Sequence, residues 1–164
     1  METVDQLLEK AKGIIENGSN EDMNVLKQVL DGIDGKRRGK YNTYITAFME
    51  TEIEENGAQL VMTIPITPFL ANTVDIVHGG FTATLADTAM GTFVNRKIPD
   101  DKVAVTSEMK INYTAPGVGE FLKCRAEILH LGTKTSVTEA KIYNENGTLV
   151  AAATGSFYLV PRKA

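Results

Sequence analysis

The sequence predicts an α+β fold: an antiparallel sheet of about six strands wrapped around one central helix, preceded by an N-terminal helical extension. Three observations predict it. Residues 4–33 carry two runs of apolar residues at helical spacing. A single helix-like run between about His78 and Arg96 is apolar around most of its circumference. The remainder, from Tyr41 onward, is a series of β-branched and aromatic runs separated by short turn sequences. Consecutive strands with short joints make an antiparallel meander, not strand–helix–strand units.

In the first element, Val4, Leu7, Leu8, Ala11, Ile14 and Ile15 form one apolar face, and Asn17-Gly18 ends it. Ser19-Asn-Glu-Asp22 has the form of a capped start, followed by Met23, Leu26, Val29, Leu30 and Ile33 as the apolar face of a second helix. The glycines of Asp31-Gly-Ile-Asp-Gly35 and the basic stretch Lys36-Arg-Arg-Gly39 are expected to break the pattern. Residues 1–39 are therefore assigned as a helical hairpin extension and 40–164 as the main domain. Two roles stand for the hairpin: packing on the main domain or a partner subunit, or a regulatory or DNA-reading module.

Strands are expected over Tyr44–Ile53 and Ala58–Ile66, with Asn56-Gly57 as a two-residue hairpin turn and Pro65 and Pro68 ending the second. The loop Asn72–Val77 then leads into the central helix. Four further strands are expected near 103–114, 120–131, 135–144 and 148–160. Their joints, Pro116-Gly-Val-Gly119, Gly132-Thr-Lys134 and Asn146-Gly147, all have turn chemistry.

The chain has 164 residues, 43% hydrophobic and 23% charged, with a net charge of −4, which is one domain's worth of an ordinary globular composition. That balance argues against nucleic acid as the main partner, because phosphate-backbone binding needs an excess of Lys and Arg. The lone cysteine, Cys124, excludes an intrachain disulfide and fits a reducing compartment. No apolar run is long enough for a transmembrane helix, and the first residues lack the pattern of a secretory signal, so no membrane association and a cytoplasmic location are expected.

The chemistry concentrates in Asn72-Thr-Val-Asp-Ile-Val-His78-Gly79-Gly80-Phe-Thr-Ala-Thr-Leu-Ala-Asp87. Two glycines at a helix start expose backbone N–H groups at the positive end of the helix dipole, where a carbonyl oxygen can be polarised. Asp87 lies between Ala86 and Ala89 on an apolar helix, where a charge is costly unless it has partners or a task. Together with Asn72 and His78, these groups suggest acyl chemistry. Each residue also has a plain structural reading: Asp87 as a paired carboxylate, His78 and Asn72 as loop architecture, Gly79 and Gly80 as turn glycines. Cys124, with apolar neighbours on alternate positions, reads as a packed strand thiol. With only His78 and His130, far apart, no metal site is expected, and neither a P-loop nor a dinucleotide-binding glycine pattern is present.

His78-Gly-Gly-Phe-Thr-Ala-Thr-Leu-Ala-Asp87, followed by Val105-Thr-Ser-Glu-Met-Lys-Ile-Asn-Tyr113 with Pro116 and by Gly147-Thr-Leu-Val-Ala, resembles the hotdog-fold PaaI-like acyl-CoA thioesterases, over roughly Tyr41 to Val160. The resemblance implies hydrolysis of an acyl-CoA to a carboxylic acid and CoA, with no metal or redox cofactor. It implies Asp87 as general base or nucleophile and the Gly79 N–H as the carbonyl-polarising donor. It further implies Asn72 orienting the carbonyl or the water, His78 near the thioester and Thr106 holding the water. It also implies a homodimer or homotetramer whose active site combines the helix of one subunit with the Asn72–Gly79 loop of another. Two alternatives stand beside it: a hotdog dehydratase or hydratase, using His78 with Asp87, and a non-catalytic acyl-CoA sensor. For the CoA phosphates, Arg37, Arg38, Lys110, Lys123, Arg125 and Lys134 are all candidates. Phe81, Met90, Phe93 and Met109 are either acyl-pocket or core residues.

Overall fold

A computed structural model describes residues 3–162. The elements run α1 (Val4–Asn17), α2 (Asn20–Arg37), α3 (Tyr44–Phe48), β1 (Glu52–Glu55), β2 (Leu60–Pro65), a 3-10 turn (Pro68–Leu70), α4 (Gly79–Asn95), β3 (Lys102–Tyr113), β4 (Phe121–Leu131), β5 (Thr135–Asn144) and β6 (Leu149–Pro161). They form two compact units: residues 1–50 with 67–69, and residues 51–66 with 70–164.

In the helical unit each helix starts on a reciprocal capping box, Thr3 with Gln6, Ser19 with Asp22, and Thr43 with Thr46, which satisfies amides that the helix itself cannot. The apolar face expected on α1 exists but buries none of its residues. Helix α2 does not break at Gly32 and Gly35; it continues to Arg37. The reason is packing. A Cβ on Gly32 would lie 2.7 Å from the Phe48 ring, and one on Gly35 2.8 Å from the Tyr41 ring, so both glycines mark close approaches rather than stops. Gln28 Nε2 donates to the Phe48 carbonyl at 2.7 Å, tying α2 to the end of α3.

The strand expected over Tyr44–Ile53 is a correction. Its first half is α3, because Thr43 and Thr46 cap each other's backbone and commit the segment to a helical turn; only Glu52–Glu55 pairs as strand. The two-residue hairpin turn is also longer than expected. Glu55 pairs with Leu60, so Asn56–Gln59 makes a four-residue loop, with Gly57 at φ +87° and Asn56 Oδ1 accepting the Gln59 N–H.

The second unit holds the sheet. All pairings are antiparallel, in the order β1-β2-β4-β5-β6-β3. The simple meander expected from short joints therefore holds for the β1-β2 hairpin and for β4-β5-β6, but not for β3. Strand β3 leaves α4 to pair with β6 at the far edge, and the seven-residue connection 114–120 returns the chain to β2.

Helix α4 packs against β2, β3, β4, β5 and β6. Its Leu85, Ala86, Ala89, Met90, Phe93 and Val94 are buried, as are Met62, Ile64, Leu122, Cys124, Ile142, Ala153 and Phe157 on the strands. Each large side chain buried this way contributes about 1.5–3 kcal/mol. The approach of α4 to β6 is close: a Cβ on Gly155 would lie 2.9 Å from Met90 Cε. Met90 and Phe93 thus belong to the core.

One irregularity decides where the chemistry points. Between Thr106 and Glu108 the β3–β6 register shifts, so that Ser107 is an extra residue and donates through Oγ to the Ser156 carbonyl at 3.0 Å. Lys110 opposes exposed Thr154, but Thr106 opposes buried Phe157. Strict alternation from Lys110 would have turned Thr106 away from the helix. The bulge turns it toward α4.

Candidate active site

The candidate residues fall into two groups along α4, one at its start and one about two turns on. At its start, His78 is the N-cap: its ring Nδ1 accepts the Gly80 N–H at 2.9 Å, which in the neutral ring places the proton on Nε2. The His78 carbonyl accepts the Phe81 and Thr82 N–H groups at 2.9 and 3.2 Å. The Gly79 N–H, by contrast, has no acceptor among the described residues. It is the one early amide of α4 that capping and helix formation leave open, and its own peptide is polarised by the two bonds at the His78 carbonyl.

The loop before it is tightly built. Asn72 Oδ1 accepts the Val74 and Ile76 N–H groups at 3.0 and 3.4 Å, and Asp75 takes a left-handed conformation at φ +57°. The Val77 N–H donates to the Gly117 carbonyl at 3.0 Å and the His78 N–H to the Leu70 carbonyl at 2.8 Å. Asn72 is thus an Asx-turn residue by its oxygen, with no partner at Nδ2 among the described residues. Loop and helix start open on a cavity of about 590 Å³, whose walls include Asn72, Gly79, Gly80, Thr82, Tyr113 and Gly117. Sequence reading assigned no role to Tyr113, whose hydroxyl donates to the Gly79 carbonyl at 2.8 Å; the only signal was its place in the Val105–Tyr113 motif.

Asp87 lies elsewhere. It is eight residues along the helix from Gly79, about 12 Å at 1.5 Å per residue, and does not line the cavity. It is half-buried, and its Oδ1 accepts the Thr106 hydroxyl at 2.8 Å, the contact that the β3 bulge makes available. Oδ2 has no partner among the described residues. Within one chain, therefore, the structure brings Asp87 to Thr106, and separately gathers Asn72, His78 and Gly79. It does not join the two groups.

The remaining candidates fall outside the cavity. Lys110, Lys123 and Arg125 project from the sheet face opposite α4, Lys123 over the Phe121 ring and Arg125 over the Tyr143 ring. Lys134 lies in the β4–β5 turn, and Arg38 pairs with Asp34 at 3.0 Å in the helical unit. Burial pushes the Cys124 thiol up to about 12, so it is a packed thiol and not a nucleophile. No cluster of three or more His, Cys, Asp or Glu able to hold a metal exists among the described residues, and none of their helices is long and apolar enough to cross a membrane.

Residues 75–151, which include Gly79, Asp87, Thr106 and Tyr113, match the family model of the thioesterase superfamily. The chain is 31% identical over 101 residues to the acyl-coenzyme A thioesterase PaaI of Escherichia coli, covering 61% of this chain and 70% of that one. It is 31% identical over 110 residues to a putative esterase of Archaeoglobus fulgidus, covering 66% and 68%. A putative esterase of Vibrio cholerae is 28% identical, and there the match spans only 65% of the relative's length. Among solved structures, a Bacillus halodurans protein crystallised with CoA superposes with a TM-score of 0.84 at 40% identity, covering 93% of this chain and 99% of that one. The E. coli PaaI structure shares the fold, with a TM-score of 0.68 at 24% identity over 81% and 96% of the two chains. The chain belongs to the thioesterase superfamily and has its PaaI-like hotdog fold.

Proposed function

We propose that this protein hydrolyses an acyl-CoA thioester to a carboxylic acid and free CoA. The observation that carries the reading is the unpartnered Gly79 N–H at the start of α4, opening on a cavity of about 590 Å³. In that position the amide stabilises the oxyanion that develops as the thioester carbonyl is attacked; one such donor is typically worth about 10²–10³ in rate. Asn72, through its free Nδ2, orients the carbonyl or the attacking water. His78, with Nδ1 engaged by Gly80, presents Nε2–H as a donor near the thioester rather than Nδ1 as a base. That engagement favours hydrolysis over a dehydratase relying on His78.

Asp87 supplies the attack. As general base it removes a proton from water, the hydroxide adds to the carbonyl carbon, the C–S bond breaks, and the thiolate takes the proton back from Asp87. As nucleophile it attacks the carbonyl carbon and expels the CoA thiolate, giving an acyl–Asp87 anhydride; water then cleaves the anhydride to the carboxylic acid and Asp87, and the thiolate takes the remaining proton. Thr106, bonded to Oδ1, fixes the carboxylate and holds the water. No step requires a metal or redox cofactor. Because Asp87 lies about 12 Å along the helix from Gly79, we place Asp87 of one copy against Asn72, His78 and Gly79 of another, in a homodimer or homotetramer. Residues 40–164 then form the catalytic domain and 1–39 an extension, in a cytoplasmic enzyme.

The test is free-thiol release from a panel of aryl- and alkyl-CoA thioesters, with wild type and Asp87→Asn side by side. The reading expects hydrolysis of at least one member by wild type and a loss of about 10²–10⁴ in the variant, with folding unchanged. Tight binding without release would identify a sensor instead, and activity surviving in Asp87→Asn would remove Asp87 from the mechanism.

A further inference from the structure

A glycine pair at a helix start lets a ligand approach the backbone closely, but it is also the least restrained way to begin a helix. An oxyanion donor is effective only if its direction is set before the reaction. The peptide that carries the Gly79 N–H is held at the His78 carbonyl by helix bonds, and the next peptide, Gly79–Gly80, is held by side chains. His78 Nδ1 holds the Gly80 N–H at 2.9 Å, and Tyr113 holds the other side of the same peptide, its hydroxyl donating to the Gly79 carbonyl at 2.8 Å. Tyr113 ends β3 opposite Ala151, on the sheet face that carries α4, and its ring lies over the first helical residue: a Cβ built on Gly79 would meet the phenol at 3.4 Å, an ordinary contact. The residue is 52% exposed and forms part of the cavity wall, so burial does not account for its position.

We infer that Tyr113 is a positioning residue for the reaction: its hydroxyl clamps the Gly79–Gly80 peptide so that the Gly79 N–H is directed into the cavity. The inference rests on the thioester reading above. It differs from a purely structural tie between β3 and α4 in what it predicts for ligands. A structural tie affects all ligands alike, whereas a positioning role acts on the carbonyl.

The experiment compares wild type with Tyr113→Phe, which keeps the ring and removes the hydroxyl. Tyr158→Phe, on the outer face of β6, serves as the control. Two CoA probes of the same octanoyl chain length are titrated: a ketone with one methylene inserted between the sulfur and the carbonyl, which keeps the polarisable carbonyl and cannot be hydrolysed, and a thioether with no carbonyl. Wild type should bind the ketone more tightly than the thioether. Tyr113→Phe should lose about tenfold on the ketone, the effect of one hydrogen bond, while the thioether changes by less than about twofold. For any octanoyl-CoA hydrolysis by wild type, kcat should fall by a similar factor with KM nearly constant. Ketone affinity within twofold of wild type overturns the assignment and leaves the thioester reading standing. Equal weakening of both probes also overturns it, reducing Tyr113 to a wall. If wild type itself does not prefer the ketone, the carbonyl-polarising reading fails, and the assignment with it.

Discussion

The two stretches of α4 to which the proposed function assigns roles are made in opposite ways. At the helix start the useful atom is a backbone amide, and everything that positions it is irregular: an Asx turn at Asn72, a left-handed Asp75, an N-capping His78 and a peptide pinned to Gly117. Eight residues later the useful atom is a side-chain carboxylate on regular helix, positioned by a hydroxyl that a β-bulge rotates into reach. Under the proposed function the first stretch supplies the polarising amide and the second the attacking carboxylate, and hydrolysis needs both. The helix that carries both also holds them about 12 Å apart, and it is this separation that leads the proposed function to place the two groups on different copies.

Three substitutions separate the two stretches and a fourth lies outside both, taken from the largest effect down. Asp87→Asn should cost about 10²–10⁴ in kcat. Gly79→Pro should cost about 10²–10³, because it deletes the open N–H while placing proline at the first helical position, where it is well tolerated. His78, at φ −57° and ψ 132°, already has the backbone that precedes a proline. Circular dichroism of both variants should match wild type. Thr106→Val should cost about tenfold, since it removes one hydrogen bond to a charged group and leaves the base in place. A loss as large as that of Asp87→Asn would mean that Thr106 does more than orient and hold water.

The smallest effect is electrostatic and lies away from the site. Lys97 and Arg96, just beyond α4, hydrogen-bond Glu55 at the end of β1 and hold its carboxyl below the ordinary carboxylate value, Lys97 contributing most. A lowered folded-state value means that the stabilisation is fully present above the ordinary carboxylate range and disappears as pH falls through the folded value. Glu55→Gln should therefore lower the unfolding midpoint slightly at neutral pH and not at all in strong acid, with added salt shrinking the difference. Catalysis should be unaffected.

The two stretches were not equally legible. The helix start was readable because its signals are local: Asn72, His78 and the two glycines lie within nine residues and each acts on the backbone near it. Asp87 was readable as a charge out of place on an apolar helix. The link between Asp87 and Thr106 depends on the Ser107 bulge, and Thr-Ser-Glu carries no glycine or proline to announce one. Tyr113 acts across 34 residues, beyond any local pattern. The six strands were readable from their β-branched runs and turns, but their order was not, because β3 pairs with a strand that comes three later in the chain. Helix α3 was masked by its own composition, since Tyr44, Ile45 and Phe48 favour strands while the Thr43–Thr46 cap determines the outcome.

The packed thiol offers a check on the core beneath both stretches. With its thiol pushed up to about 12 by burial, Cys124 should resist a disulfide reagent in native protein and react promptly in denaturant. Fast labelling under native conditions would show that β4 opens locally.

The central claim is that the two stretches of α4 act together only across two copies, and subunit complementation tests it most directly. Asp87→Asn and Gly79→Pro chains, each inactive alone, are unfolded together and refolded as a mixture. A hybrid dimer then has one site with both groups intact and one with neither. Random pairing should restore about one quarter of wild-type thioesterase activity. If hybrids form and activity stays at the level of the single variants, Asp87 and Gly79 do not meet across the interface, and the account is contradicted.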